Sequence, residues 1–293
     1  MVRHLFAPVT ALFLSLLSAC SGTGTLNALA PSSLVTVRND VAYGASDRQK
    51  LDIYTPAESV PGRGPEGRPL VVFLYGGGWR DGGRGMYPFA GKALAAQGII
   101  TVIPDYRVYP EVRFPVFVQD AAQALAWAVA NARELGGDPR RVFVMGHSAG
   151  GHIAALLTLD PSYLTAEGLD PDRVLAGMIG LAGPYDFLPL TDPIYKTIFA
   201  TAPDLRVTQP ITYARAGAPP LLLLNGRADT TVLPRNAERL AARVRVLGGQ
   251  AQDKYYPGIG HSLLLGALSG PLTFLAPVKD DVTRFIGVGA ETR

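Results

Sequence analysis

Arg141-Val142-Phe143-Val144-Met145-Gly146-His147-Ser148-Ala149-Gly150-Gly151, followed by Ile153-Ala154-Ala155-Leu156-Leu157, is the stretch on which the fold turns. Residues 141–145 form a short apolar run suited to a buried strand, and 153–157 suit a helix. Gly146, Gly150 and Gly151 crowd the link between them, around one serine. A strand passing into a helix over so few residues turns sharply, and flanking glycines let the backbone pass. Ser148 stands at the tip of that turn, with its hydroxyl lifted above the sheet. The helix that starts just behind it points its positive end at the same spot.

Outward from this turn, strands and helices alternate. Leu70–Leu74 is an apolar run that ends in glycines, Ile99–Ile103 is another, and a helix is expected between them around Lys92–Gln97. Val118, Ala122, Leu125 and Val129 recur at helical spacing, which predicts a helix over 117–134. Further strands are expected at Ala176–Leu181 and Leu221–Leu224, the latter followed by a helix carrying Leu240, Ala241, Val244 and Leu247. Upstream, Val35–Val37 and Lys50–Tyr54 have strand character, and a turn-rich loop with Pro61, Gly62, Gly64, Pro65 and Gly67 comes next. Uninterrupted apolar strands alternating with helices predict an α/β fold with a mostly parallel central sheet and helices on both faces. Functional groups in such a sheet gather at the carboxyl ends of its strands. The chain has 293 residues, 48% of them apolar, enough for one large core, so residues 34–293 read as a single domain.

The net charge is +3, with acidic and basic residues interleaved. No basic run carries interleaved aromatics, so nucleic acid is not an expected partner. No set of His, Cys and carboxylates has metal-ligand spacing, and neither a metal nor a cofactor is expected.

The first residues differ from the rest. Arg3 and His4 precede an apolar run from Leu5 to Leu17, then small residues lead to the chain's one cysteine, Cys20. A basic start, an apolar stretch of this length and a small-residue exit mark an export signal, and the run is short for a membrane span. Leu17-Ser18-Ala19-Cys20 resembles the bacterial lipobox. That resemblance implies that 1–19 are removed and that Cys20 carries a lipid, holding the protein on a membrane surface of the cell envelope. Residues 20–33 are small and polar and read as a flexible tether.

A serine hydroxyl is a poor nucleophile without a base, and the sequence holds four histidines. His4 lies in the signal. His147 adjoins the nucleophile, and its side chain is expected to leave on the other side of the turn. His152 lies one helical turn on and reads as a packing or hydrogen-bonding residue. His261 remains, in the glycine-flanked segment Gly258-Ile259-Gly260-His261-Ser262. A carboxylate must hold the imidazole, and Asp229 falls just beyond the strand Leu221–Leu224. Asp186 and Asp204 are rivals that follow no such strand. Tyr75-Gly76-Gly77-Gly78-Trp79 supplies bare amides after the first buried run, and Ala149 adds another N–H, for a developing oxyanion.

These residues resemble the carboxylesterase and hormone-sensitive-lipase branch of the α/β-hydrolase superfamily. Asp105-Tyr106-Arg107-Val108-Tyr109-Pro110-Glu111 with Phe114-Pro115, Gly136-Gly137-Asp138-Pro139 and Asp229-Thr230-Thr231-Val232 are similar to that branch's segments, over about Leu51 to His261. The tighter likeness is to isoprenylcysteine-methylesterase-like proteins and bacterial feruloyl or acetyl-xylan esterases. The resemblance implies an α/β-hydrolase fold, oxyanion donors at Gly77, Gly78 and Ala149, and a Ser148–Asp229–His261 triad. It implies a serine carboxylesterase that forms an acyl-enzyme, and the short stretch from Pro184 to Tyr213 points to small or aromatic esters rather than large lipid chains. An amidase or arylformamidase would use the same residues, and a surface binding protein could keep the fold without turnover. The branch usually has histidine where Tyr75 stands. The short stretch from Pro184 to Tyr213 leaves room for at most a small cap. Nothing in the sequence fixes an oligomeric state.

Overall fold

The computed structural model describes residues 19–61 and 67–288. Eight strands form one sheet: β1 (Val35–Ala42), β2 (Lys50–Pro56), β3 (Arg68–Leu74), β4 (Ile100–Pro104), β5 (Gly137–His147), β6 (Leu175–Leu181), β7 (Leu221–Gly226) and β8 (Ala251–Tyr256). Their order is β1-β2-β4-β3-β5-β6-β7-β8, antiparallel through β1, β2 and β4 and parallel from β4 onward. This is the expected α/β-hydrolase sheet. Every residue of β3, β4 and β7 is buried, as an apolar run covered on both faces requires. β1 lies at the edge, is mostly exposed and carries a register shift between Arg38 and Val41. β8 lies at the other edge as Ala-Gln-Asp-Lys-Tyr-Tyr, only its last residue fully buried. It has no apolar run, so the sequence reading passed over it.

The helices include Pro88–Ala95, Val116–Asn131, Ala149–Leu159 and Arg235–Val246. The first starts four residues before its expected position, with a proline whose fixed φ suits a first turn. Ala149–Leu159 is buried along its whole length, so the segment behind Ser148 is the centre of the molecule.

One expectation is corrected. The described part of 20–33 is packed against the domain, not a loose tether: Ala19–Ala28 is helical, and Leu26 and Ala30 are buried in the core. The Asn27 side chain donates to the Met86 carbonyl (3.3 Å) and accepts from the Phe89 amide (2.8 Å). That amide is one of the first-turn donors a helix leaves unsatisfied. Two small apolar contacts and one cap are enough to dock a segment whose composition looks unable to pack. The export signal falls mainly on 1–18, outside the described residues. Among the described residues no helix is long and apolar enough to cross a membrane.

Candidate active site

Ser148 has φ 54° and ψ −123°, a conformation rarely adopted by a residue with a side chain. Its amide donates to the Leu181 carbonyl at 2.9 Å, which ties the turn to the end of β6. The glycines around it are sterically required. A Cβ on Gly146 would stand 2.2 Å from the Gly150 oxygen, and one on Gly150 would stand 2.0 Å from the Leu74 oxygen. The turn is therefore pressed against the end of β3, where the glycine loop begins. A Cβ on Gly76 would meet the Ser148 Cβ at 3.0 Å, so the loop lies directly beside the serine.

Within that loop the Gly77 carbonyl turns inward and accepts from the amides of Arg80 (3.2 Å) and Asp81 (3.0 Å). Gly77 and Gly78 have φ 146° and 60°. Among the described residues no acceptor takes the N–H of either. Tyr75 anchors the loop where a histidine was expected. Its ring stacks between Tyr87 (5.4 Å) and Tyr106 (4.7 Å). Its hydroxyl donates to Asp105 (2.8 Å) and accepts from Arg48 (3.2 Å). Burial, reinforced by the Asp105 charge, keeps this phenol protonated far above its usual range. The hydroxyls of Tyr106 and Tyr87 donate to the carbonyls of Tyr75 (2.7 Å) and Gly76 (3.3 Å), which fixes the first residues of the loop. Tyr106 lies in a segment the sequence singled out, whereas Arg48 and Tyr87 carry no local signal.

Asp229 lies beyond β7 and is buried. One carboxylate oxygen accepts from the amides of Thr231 and Val232, both at 2.9 Å, and the other meets His261 Nδ1 at 2.8 Å. Burial pushes this carboxyl up, but the bonds from His261 and the two amides outweigh it and hold it below the usual range. The rivals are engaged elsewhere, Asp186 with Arg239 and Asp204 with Arg206.

The expectation for His147 is corrected. Its side chain turns toward His261: the ring centroids are 4.7 Å apart and Nε2 donates to the His261 carbonyl at 3.2 Å. His261 is thereby tied to the residue beside Ser148 and, through Nδ1, to Asp229. His147 Nδ1 is buried without a partner among the described residues. His152 behaves as expected. It accepts the Trp79 indole N–H on Nδ1 (3.2 Å) and donates from Nε2 to the Thr208 carbonyl (2.8 Å). Among the described residues no group of three His, Cys or carboxylate side chains is placed to hold a metal.

Both histidines are held neutral. Burial lowers His152 to about 4, and burial with the neighbouring His261 lowers His147 to about 3. The unfolded chain takes up these protons near pH 6.5, whereas the folded chain resists until well below it. Stability present above pH 6.5 is therefore lost as pH falls toward 4, by up to about 3 kcal/mol per group. Urea midpoints measured from pH 7 to 4 should fall, and less steeply in His152→Gln; a flat profile would contradict the buried neutral imidazoles.

The BD-FAE family model matches residues 51–244, which span the glycine loop, the serine turn and Asp229. The chain belongs to the BD-FAE family. Its likeness to curated proteins includes Esterase LipC of Mycobacterium tuberculosis, 32% identical over 80% of this chain and 62% of that protein. It also includes the isoprenylcysteine alpha-carbonyl methylesterase ICME of Arabidopsis thaliana, 29% identical over 80% of this chain and 58% of that protein. This BD-FAE chain thus spans about 60% of the length of these relatives. Among solved structures it is similar to a truncated carbohydrate esterase from gut microbiota (TM-score 0.73, 20% identity, covering 87% of this chain and 98% of that one). It is similar also to esterase 2 of Thermogutta terrifontis phosphoramylated by tabun (TM-score 0.69, 25% identity, 89% and 98%).

Proposed function

We propose that this protein is a serine carboxylesterase whose nucleophile is Ser148, general base His261 and orienting carboxylate Asp229. The observation that carries the reading is the 2.8 Å His261–Asp229 bond beside a serine in a strained strand-to-helix turn. Ser148 Oγ attacks the ester carbon while His261 takes its proton, and Asp229 stabilises the resulting imidazolium. The N–H groups of Gly77, Gly78 and Ala149 receive the oxyanion. His261 then returns the proton to the departing alcohol. Water, activated by the same imidazole, releases the acid and restores Ser148. The names of the curated relatives support ester over amide.

The acyl group falls toward Trp79, with Phe187 stacked on it (5.9 Å) and Tyr195 edge-on (5.6 Å). The stretch that carries Phe187 and Tyr195 continues into short elements, the helix Pro193–Ile198 and the turns Leu205–Thr208 and Pro210–Tyr213. That enclosure suits small or aromatic acyl groups. p-Nitrophenyl esters from acetate to decanoate, with feruloyl and acetyl-sugar esters and one matched anilide, test it. Short or aromatic esters should be cleaved fastest and the anilide slowest. A preference for decanoate, or for the anilide, would overturn the assignment.

We also propose that Cys20 carries a lipid that holds the domain at the cell envelope. The docked helix Ala19–Ala28 would then leave only a short leash between anchor and domain. Cys20→Ser should move the protein from the membrane to the soluble fraction; retention in the membrane would rule the anchor out.

A further inference from the structure

Four tyrosines surround the glycine loop, and three have their hydroxyls engaged by the protein. Tyr75 donates to Asp105, Tyr87 to the Gly76 carbonyl and Tyr106 to the Tyr75 carbonyl. The fourth, Tyr195, belongs to the short helix Pro193–Ile198 and is partly buried. Its hydroxyl makes no hydrogen bond to a described residue, yet it lies 3.4 Å from where a Cβ on Gly78 would stand. Gly78 has φ 60° and no side chain, so nothing separates that hydroxyl from the edge of the loop.

The ring is held in this position. It stands edge-on to Trp79 at 5.6 Å and 88°. Trp79 is in turn fixed through its indole N–H to His152, and His152 to the Thr208 carbonyl. His152 lies on the helix that starts behind Ser148. A continuous chain of contacts thus runs from the nucleophile's own helix through His152 and Trp79 to Tyr195. It sets the distance between the cap and the oxyanion loop, and it gives the buried, neutral His152 a task that the proton transfers do not use.

We propose that Tyr195 is a catalytic residue whose hydroxyl donates a hydrogen bond to the acyl carbonyl oxygen of the bound ester, beside the amides of the glycine loop. A prepositioned donor at that oxygen is worth most as negative charge develops on it. The effect belongs in kcat and is indifferent to the acyl chain, because every ester presents the same oxygen. This role rests on the esterase reading above.

Tyr195→Phe removes the hydroxyl and keeps the ring against Trp79, so packing is preserved. Wild type and Tyr195→Phe are to be compared on p-nitrophenyl acetate and butyrate, with melting temperature as a control for folding. The expected result is a loss in kcat of about 10-fold or more on both esters, with KM within threefold. Tyr195→Trp, bulky and without a phenol, should not recover the loss. A Tyr195→Phe kcat within twofold of wild type, a loss confined to KM, or a loss on one ester only would overturn the role of Tyr195 and leave the esterase reading standing. A wild type inactive on every ester would overturn both.

Discussion

Asp229→Asn is expected to lower kcat by about 10,000-fold while changing KM little. The asparagine keeps the size and the two amide bonds from Thr231 and Val232, so the loop should hold its shape. What is lost is the charge that faces His261 Nδ1 at 2.8 Å. An amide can present its NH2 to that nitrogen, which favours the tautomer with the proton on Nε2, and an imidazole so arranged cannot take a proton from Ser148. It also no longer stabilises the imidazolium. Asp186→Asn and Asp204→Asn are the controls, since both carboxylates sit in ion pairs with exposed arginines. Exposed pairs contribute about 0–1 kcal/mol, and these variants should retain wild-type kcat. Steady-state kinetics on one ester checks all three; a large loss in a control and none in Asp229→Asn would reassign the carboxylate.

Gly150→Ala should be almost as damaging, for a different reason. The added methyl would meet the oxygen of Leu74 at 2.0 Å, its carbonyl carbon at 2.5 Å and the oxygen of Tyr75 at 2.5 Å. All three are backbone atoms, so no rotamer change relieves the contact. Either the serine turn or the first residues of the glycine loop must move. Overpacking against rigid backbone costs about 3 kcal/mol or more, and the displacement separates Ser148 from the amides meant to receive the oxyanion. Gly85→Ala is the matched control, since its Cβ would meet nothing within 4 Å. Denaturant unfolding should show a marked loss for Gly150→Ala and a change within about 0.5 kcal/mol for Gly85→Ala. A stable, fully active Gly150→Ala would mean that the turn and the loop are not pressed together.

The residues read most readily from the sequence are those whose role is set locally. The serine turn is encoded by its own glycines, and β3, β4 and β7 by apolar runs that only a doubly covered sheet produces. Asp229 is proposed because it follows such a strand, and His261 because the other histidines have other places. What sequence reading missed depends on partners distant in the chain. The direction of the His147 ring is set by the carbonyl of His261, which arrives from another loop. Tyr75 can replace a histidine because Arg48 and Asp105 meet at its hydroxyl and two other tyrosines clamp its ring. The helix Ala19–Ala28 escaped notice because its docking rests on Leu26, Ala30 and one asparagine, too little to show as a periodic pattern. β8 was missed because an edge strand needs no apolar face.

The central claim is that Ser148 is an activated nucleophile. Its most direct test is covalent: incubation with a fluorophosphonate, followed by intact-protein mass and peptide mapping. A single adduct should form on Ser148, slowly in Asp229→Asn and not at all in Ser148→Ala. A folded wild type that stays unmodified, or an adduct on any residue other than Ser148, would contradict the account.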